Sequence, residues 1–130
     1  MTAWDEVKNS GIGNFPALVH ARMLAPEATF IRGDDGRDFT YDDYWSLSGR
    51  IANALAHHSV GVGDRVAVQV AKSVEGLALF LACARLGAIF LPLNTAYTAP
   101  EVDYFVRDAE PALIICEPAK ASVLSGMAKA

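Results

Sequence analysis

The sequence predicts an α/β fold: an opening β-hairpin, then strand–helix–strand–helix–strand around a mostly parallel sheet. Two observations carry this. Apolar, β-branched runs recur at Arg65–Val70 (RVAVQV), Ala88–Leu93 and Ala112–Cys116 (ALIIC), without the alternation of a strand wetted on one face. Between them lie stretches of helical period, each opened and closed by residues that start and stop helices. Strands of this kind, alternating with helices, are the grammar of a parallel sheet covered on both sides.

The elements follow in order. Residues 1–14 are polar and glycine-bearing, and are expected to be loosely held. Phe15 to Leu24 has helical spacing and is stopped by Pro26. Ala28–Arg32 and Arg37–Thr40 flank Gly33-Asp34-Asp35-Gly36, which predicts a β-hairpin. Thr40 opens a helix that has Asp42 and Asp43 at its positive end and ends near His58. Its predicted buried stripe is Tyr44, Leu47, Ser48, Ile51, Leu55 and His58. Ser73 caps a helix over Val74–Leu86 that is apolar nearly all round, so it is expected to be buried on several sides. Gly87 ends it. Thr98 and Glu101 form a capping box for Ala99–Ala109, with Pro100 tolerated in the first turn. Pro118–Lys129 reads as a last helix.

Composition narrows the function. The chain has 130 residues, enough for one domain or subdomain, and is 52% hydrophobic and 20% charged. Net charge is −4 and no Lys/Arg cluster occurs, so nucleic-acid binding through a basic face is excluded. The start lacks the basic and apolar segments of a secretory leader. Gly76–Leu93 is long enough to span a bilayer, but Arg85, Gly87 and Pro92 interrupt it, which predicts a buried helix running into a strand and no membrane span. Cys83 and Cys116 lie far apart in apolar runs, so they read as buried, reduced thiols, which suits the cytoplasm.

No constellation in the chain carries chemistry. Gly61-Val62-Gly63-Asp64 precedes a strand, whereas a dinucleotide loop follows one; it reads as a tight turn. His57 and His58 are adjacent and point apart, so they make no chelate, and His20 shows no partner. Asp34-Asp35 is turn chemistry and Asp42-Asp43 helix-start chemistry; Asp103, Asp108 and Glu110 flank a helix end. Lys72-Ser73 stands where a strand's carboxyl end meets a helix start, an edge where ligands gather, but reads first as a cap with a solvated lysine. Asn94–Thr98 occupies the equivalent edge, as a loop ordered by its own side chains and by Tyr97. Catalytic, cofactor-binding and metal-ligating residues are each predicted as none.

Four runs in register resemble acyl-CoA synthetases of the adenylate-forming (AMP-binding) superfamily: FTYDDYWSLSGRIANAL (39–55), GVGDRVAVQV (61–70), GLALFLACARLGAIFLPLN (76–94) and EVDYFVRDAEPALIIC (101–116). The resemblance covers residues 28–117 and implies that residues 1–130 are an N-terminal fragment of that superfamily's large domain. KSVEGLALFLA and LPLNTAYTAPEVDYFVRDAEP are most similar to malonyl-CoA synthetases. The implied reaction joins a carboxylate to the α-phosphate of ATP with Mg²⁺, releasing pyrophosphate; the CoA thiol then displaces AMP. The superfamily's Ser/Thr/Gly-rich phosphate loop ending in Pro-Lys-Gly, and the aspartate, arginine and C-terminal-domain lysine that go with it, are not found in the chain, so no functional residue carries over. ATP, Mg²⁺ and CoA are the implied cofactors of the full enzyme. The expected partners are the remainder of the polypeptide and a small carboxylic acid, with malonate first and a fatty or aryl acid as alternatives. The chain alone is expected to be inactive, to bind no cofactor tightly and to self-associate. A free-standing, non-catalytic α/β binding module is the reading from another class.

Overall fold

The computed structural model describes residues 14–127; the expectation for 1–13 and the predicted helix's residues 128–129 lie outside the described residues. The chain divides into two units, residues 1–47 and 48–130.

In the first unit, α1 (Phe15–Ala21) starts where Asn14 Oδ1 accepts the Ala17 N–H at 2.8 Å. It ends one turn before the expected Leu24. The N–H groups of Arg22 and Met23 fold back onto Val19 and His20 at 3.1 Å, which tightens the last turn ahead of Pro26. β1 (Thr29–Arg32) and β2 (Asp38–Thr40) form the predicted antiparallel hairpin, pairing Ile31 with Phe39 and Arg32 with Asp38. Its turn needs Gly36, which stands at φ 81°. α2 (Tyr41–His57) opens on a reciprocal cap: the Asp43 N–H donates to Thr40 Oγ1 at 3.1 Å, and the Asp43 carboxylate accepts from the Thr40 N–H and hydroxyl at 2.9 Å. Those two bonds hold the Asp43 carboxyl below its ordinary pKa. Phe30 of β1 packs on Tyr41 and on the buried Tyr44, at ring distances of 4.7 and 5.0 Å.

The division falls inside α2, between Leu47 and Ser48. The helix closes with Ser59 in the left-handed region at φ 63° and the Val60 N–H on Leu55 O at 3.0 Å. His58 is exposed, not on the buried stripe, because the stripe ends at Leu55 and Val60 takes the next core position beyond the turn.

The second unit holds a three-stranded parallel sheet of order β4-β3-β5, with β3 (Arg65–Gln69) between β4 (Ile89–Pro92) and β5 (Leu113–Cys116). α3 (Val74–Leu86) crosses from β3 to β4 and α4 (Ala99–Ala109) returns past β3 to β5. The two crossovers run in opposite directions along the sheet, so a constant hand requires their helices on opposite faces. The packing agrees. Val66 and Val68 cluster with Leu55, Val60, Leu79, Ala82 and Cys83, from α2, α3 and the turn that follows α2. Ala67, one residue out of phase, clusters with Val102, Val106 and Leu124, from α4 and the final helix, α5 (Ala121–Ser125). The predicted last helix is thus a 3₁₀ turn, Pro118–Lys120, followed by this short α-helix.

Of the three strands only the central one is buried over most of its length, from Val66 to Gln69. β4 and β5, expected to be fully buried, are half-covered, since each has one ladder partner among the described residues. α3 departs from its reading in the same way. Ala78, Leu79, Leu81, Ala82 and Cys83 are buried, while Leu77 and Phe80 face outward at 44% and 42% exposure. Both ends of α3 are as predicted: Ser73 Oγ accepts the Gly76 N–H at 3.0 Å, and Gly87 adopts φ 77°. Ser73→Ala should therefore lower stability by about 1 kcal/mol and Ser73→Gly by only a few tenths, as read from urea unfolding midpoints. Equal losses for the two would show that the hydroxyl does not cap.

Candidate functional site

In a parallel sheet, ligands meet the loops that leave the carboxyl ends of the strands, where neighbouring strands send their chains to opposite faces. Here β3 sends its chain to α3 on one face, while β4 and β5 send theirs to α4 and α5 on the other. The crevice position is therefore the carboxyl end of β3, formed by Gln69 and the loop from Val70 to Ser73.

Among the cavities that open there are a larger and a smaller one. The larger, about 390 Å³, is lined by Val68, Val70, Leu77, Phe90, Pro92 and Leu93, with Lys72 and Ser73 as its polar groups. Lys72 is exposed and Ser73 is spent on its cap, as the sequence suggested. The smaller, about 180 Å³, is lined by Gln69, Tyr97, Val102, Lys120 and Leu124 among others. Of the Asn94–Thr98 loop, Tyr97 lines the smaller cavity. Asn94 Oδ1 accepts the Ala96 N–H at 2.9 Å, and Tyr97 stacks on Phe105 at 5.2 Å, so side chains order the loop as expected.

Long-range ties across this edge were not visible in sequence. The Gln69 amide donates to Asn94 O at 2.8 Å and Tyr97 O at 3.3 Å. Lys120 Nζ donates to Thr95 O at 2.8 Å. Glu117 accepts the Ala71 N–H at 3.1 Å, joining the loops that follow β3 and β5. The one available signal was Gln69 itself, a polar residue in an apolar strand, since a buried amide must find partners.

The other candidate groups are not brought together. His57 and His58 are exposed, with rings 6.0 Å apart, and His20 lies 4.3 Å from the Trp45 ring. Asp35 pairs with Arg37 in the hairpin turn, and the Arg37 N–H and guanidinium hold its carboxyl below the ordinary range. Asp103 pairs with Arg107 at 2.7 Å. Glu101 accepts from the Thr98 N–H and hydroxyl at 2.7 and 2.8 Å, which lowers its pKa. Gly61–Asp64 is a turn closed by the Gly61 N–H on Asp64 Oδ2 at 2.8 Å. Arg85 Nη1 donates to the buried Ser48 Oγ at 2.8 Å, and burial lowers the pKa of its guanidinium. Cys83 is buried as expected, but Cys116, at the end of an outer strand, is only half-buried.

Among the described residues, no group of three or more His, Cys, Asp or Glu could hold a metal ion, and no helix is long and apolar enough to cross a membrane. The two cavities have mainly apolar walls, with Lys72 at the larger and Lys120 at the smaller.

Fold and edge thus define a segment of an open, parallel α/β domain with its crevice at the carboxyl end of the central strand. The chain belongs to the AMP-binding enzyme family, whose sequence pattern matches residues 19–130. It is 32% identical over 122 residues to a feruloyl-CoA synthase of an Amycolatopsis species, covering 94% of this chain and 24% of that protein. It is 35% identical over 88 residues to the long-chain-fatty-acid–CoA ligase FadD13 of Mycobacterium tuberculosis, covering 68% and 18%. The crystal structure of apo MatB from Rhodopseudomonas palustris superimposes with a TM-score of 0.86 at 41% identity, over 89% of this chain and 23% of that one. MatB has also been solved with ATP bound, with a TM-score of 0.87. The matched part of the chain therefore spans about a fifth to a quarter of the length of these relatives.

Proposed function

We propose that residues 1–130 form the N-terminal part of the large domain of an ATP-dependent acid–CoA ligase, and that the acid is malonate. The observation that carries the choice of acid is the 41% identity with MatB, a malonyl-CoA synthetase, over 89% of this chain. The KSVEGLALFLA and LPLNTAYTAPEVDYFVRDAEP runs favour the same acid. Family membership favours a ligase over a free-standing binding module. The full reaction would form an acyl-adenylate from acid and ATP with Mg²⁺, then pass the acyl group to CoA. This part of the chain would supply the sheet and helices on which the nucleotide and acid pockets are built. We place the enzyme in the cytoplasm, which suits the free thiols Cys83 and Cys116.

The test is ATP–pyrophosphate exchange by the intact protein purified from its source cells. Malonate should support exchange, and ferulate and long-chain acids should support it poorly. Exchange driven best by ferulate would shift the reading to an aryl acid, in line with the feruloyl-CoA synthase relative. A native mass near 13.9 kDa with no exchange on any acid would restore the binding module. The 130-residue chain alone is expected to be inactive. It should self-associate, because β4 and β5 have open outer edges among the described residues. A clean monomer in sedimentation would count against that.

A further inference from the structure

We propose that Gln69 is a positioning residue for the ligase reading above, on which this inference rests: its side-chain amide sets the conformation of the Asn94–Thr98 loop, and that loop is a rim against which a reactant, the acid or ATP, is seated. Gln69 is 1% exposed and is the last residue of the central strand, at the crevice position of the sheet. Its Nε2 reaches both ends of the loop's turn, at Asn94 O and Tyr97 O, and Asn94 O also accepts the Tyr97 N–H at 3.1 Å. Lys120 holds Thr95 O from the far side of the smaller cavity, and Asn94 Oδ1 holds the Ala96 N–H from within the loop.

Side chains from a strand, a loop and a 3₁₀ turn are thus committed to one short stretch of backbone. An apolar side chain of similar volume would fill the end of β3 but would leave Asn94 O and Tyr97 O without this donor. What the amide adds is a single conformation for the loop that follows Pro92 and Leu93 at the larger cavity and brings Tyr97 to the wall of the smaller. Preorganising a rim in this way lowers the ordering cost of binding without contributing a group to the reaction.

The experiment compares the intact protein with Gln69→Leu and with Lys120→Met, which loosens the same loop from a partly exposed site. Two quantities are read: amide hydrogen exchange, and KM and kcat in acid-dependent ATP–pyrophosphate exchange. In Gln69→Leu, exchange at Ala96 and Tyr97 should rise on the order of tenfold, with Val66–Val68 unchanged. KM for the acid or for ATP should rise by a similar factor while kcat stays within about twofold. Lys120→Met should shift both quantities the same way and less. A loosened loop with wild-type KM in either variant overturns the proposal, as does an unchanged loop in Gln69→Leu. Loss of protection in β3 along with the loop also overturns it, since Gln69 would then be a core residue. Should Gln69→Leu not fold, Lys120→Met decides on the same criteria. Absence of any acid-dependent exchange in the wild type would instead sink the ligase reading, and the amides alone would still show whether Gln69 holds the loop.

Discussion

Leu79→Ala should cost about 3 kcal/mol of stability, whereas Leu77→Ala, two residues earlier on the same helix, should change it by less than about 0.5 kcal/mol. Both are leucines in the first half of α3. Leu79 is 5% exposed and belongs to the cluster of Leu55, Val60, Val66 and Val68 that joins α2, α3 and the central strand. Truncating it removes the transfer energy of the lost carbons and leaves a void bounded by three elements, which cannot all close on it. Leu77 is 44% exposed, at the wall of the larger cavity. Urea unfolding of the two variants, compared by midpoint at constant slope, makes the measurement. Similar losses at both positions would mean that α3 is buried all round, as its composition suggested.

That contrast marks the limit of composition as a guide. Hydrophobic residues surround α3, yet one face is left open in this segment, and no local pattern distinguishes Leu77 from Leu79. The element boundaries were legible where side chains satisfy the helix ends. Ser73 and Gly87 bound α3, and Thr98 with Glu101 opens α4, at the residues predicted. α1, capped by Asn14 but with only Pro26 beyond its far end, and the stretch after Cys116 are shorter than the sequence predicts. His58 was placed by helical period alone, and the period ceases at the left-handed Ser59.

The carboxyl edge was legible in outline and not in detail. Lys72-Ser73 and Asn94–Thr98 are legible as edge positions because strand and helix signals flank them. The Gln69 and Lys120 links join residues 25 to 28 apart, and the Glu117 link joins residues 46 apart. Such pairings depend on strand order, which the sequence leaves open until the sheet is known to run β4-β3-β5.

Alkylation should separate the two cysteines by more than a hundredfold in rate at pH 8, with Cys116 modified first and Cys83 only as the protein opens. Reaction needs the thiolate and access to it. Burial among Leu79, Ala82 and Val66 pushes the Cys83 thiol up from 9.0 to about 11, which by itself lowers its thiolate fraction about a hundredfold. At 0% exposure, access adds a further barrier. Cys116 ends an outer strand and is half-buried. The same shift has a stability consequence with a definite sign. The folded state keeps the Cys83 proton more tightly than the unfolded state does, so its contribution is whole below pH 9 and is lost as pH rises towards 11. Cys83→Ala should therefore flatten the alkaline limb of the stability curve between those values, even though the lost sulfur lowers stability at neutral pH. Equal labelling rates at pH 8, checked by mass spectrometry of the two peptides, would show that the α3–β3 contact opens far more readily than its packing implies.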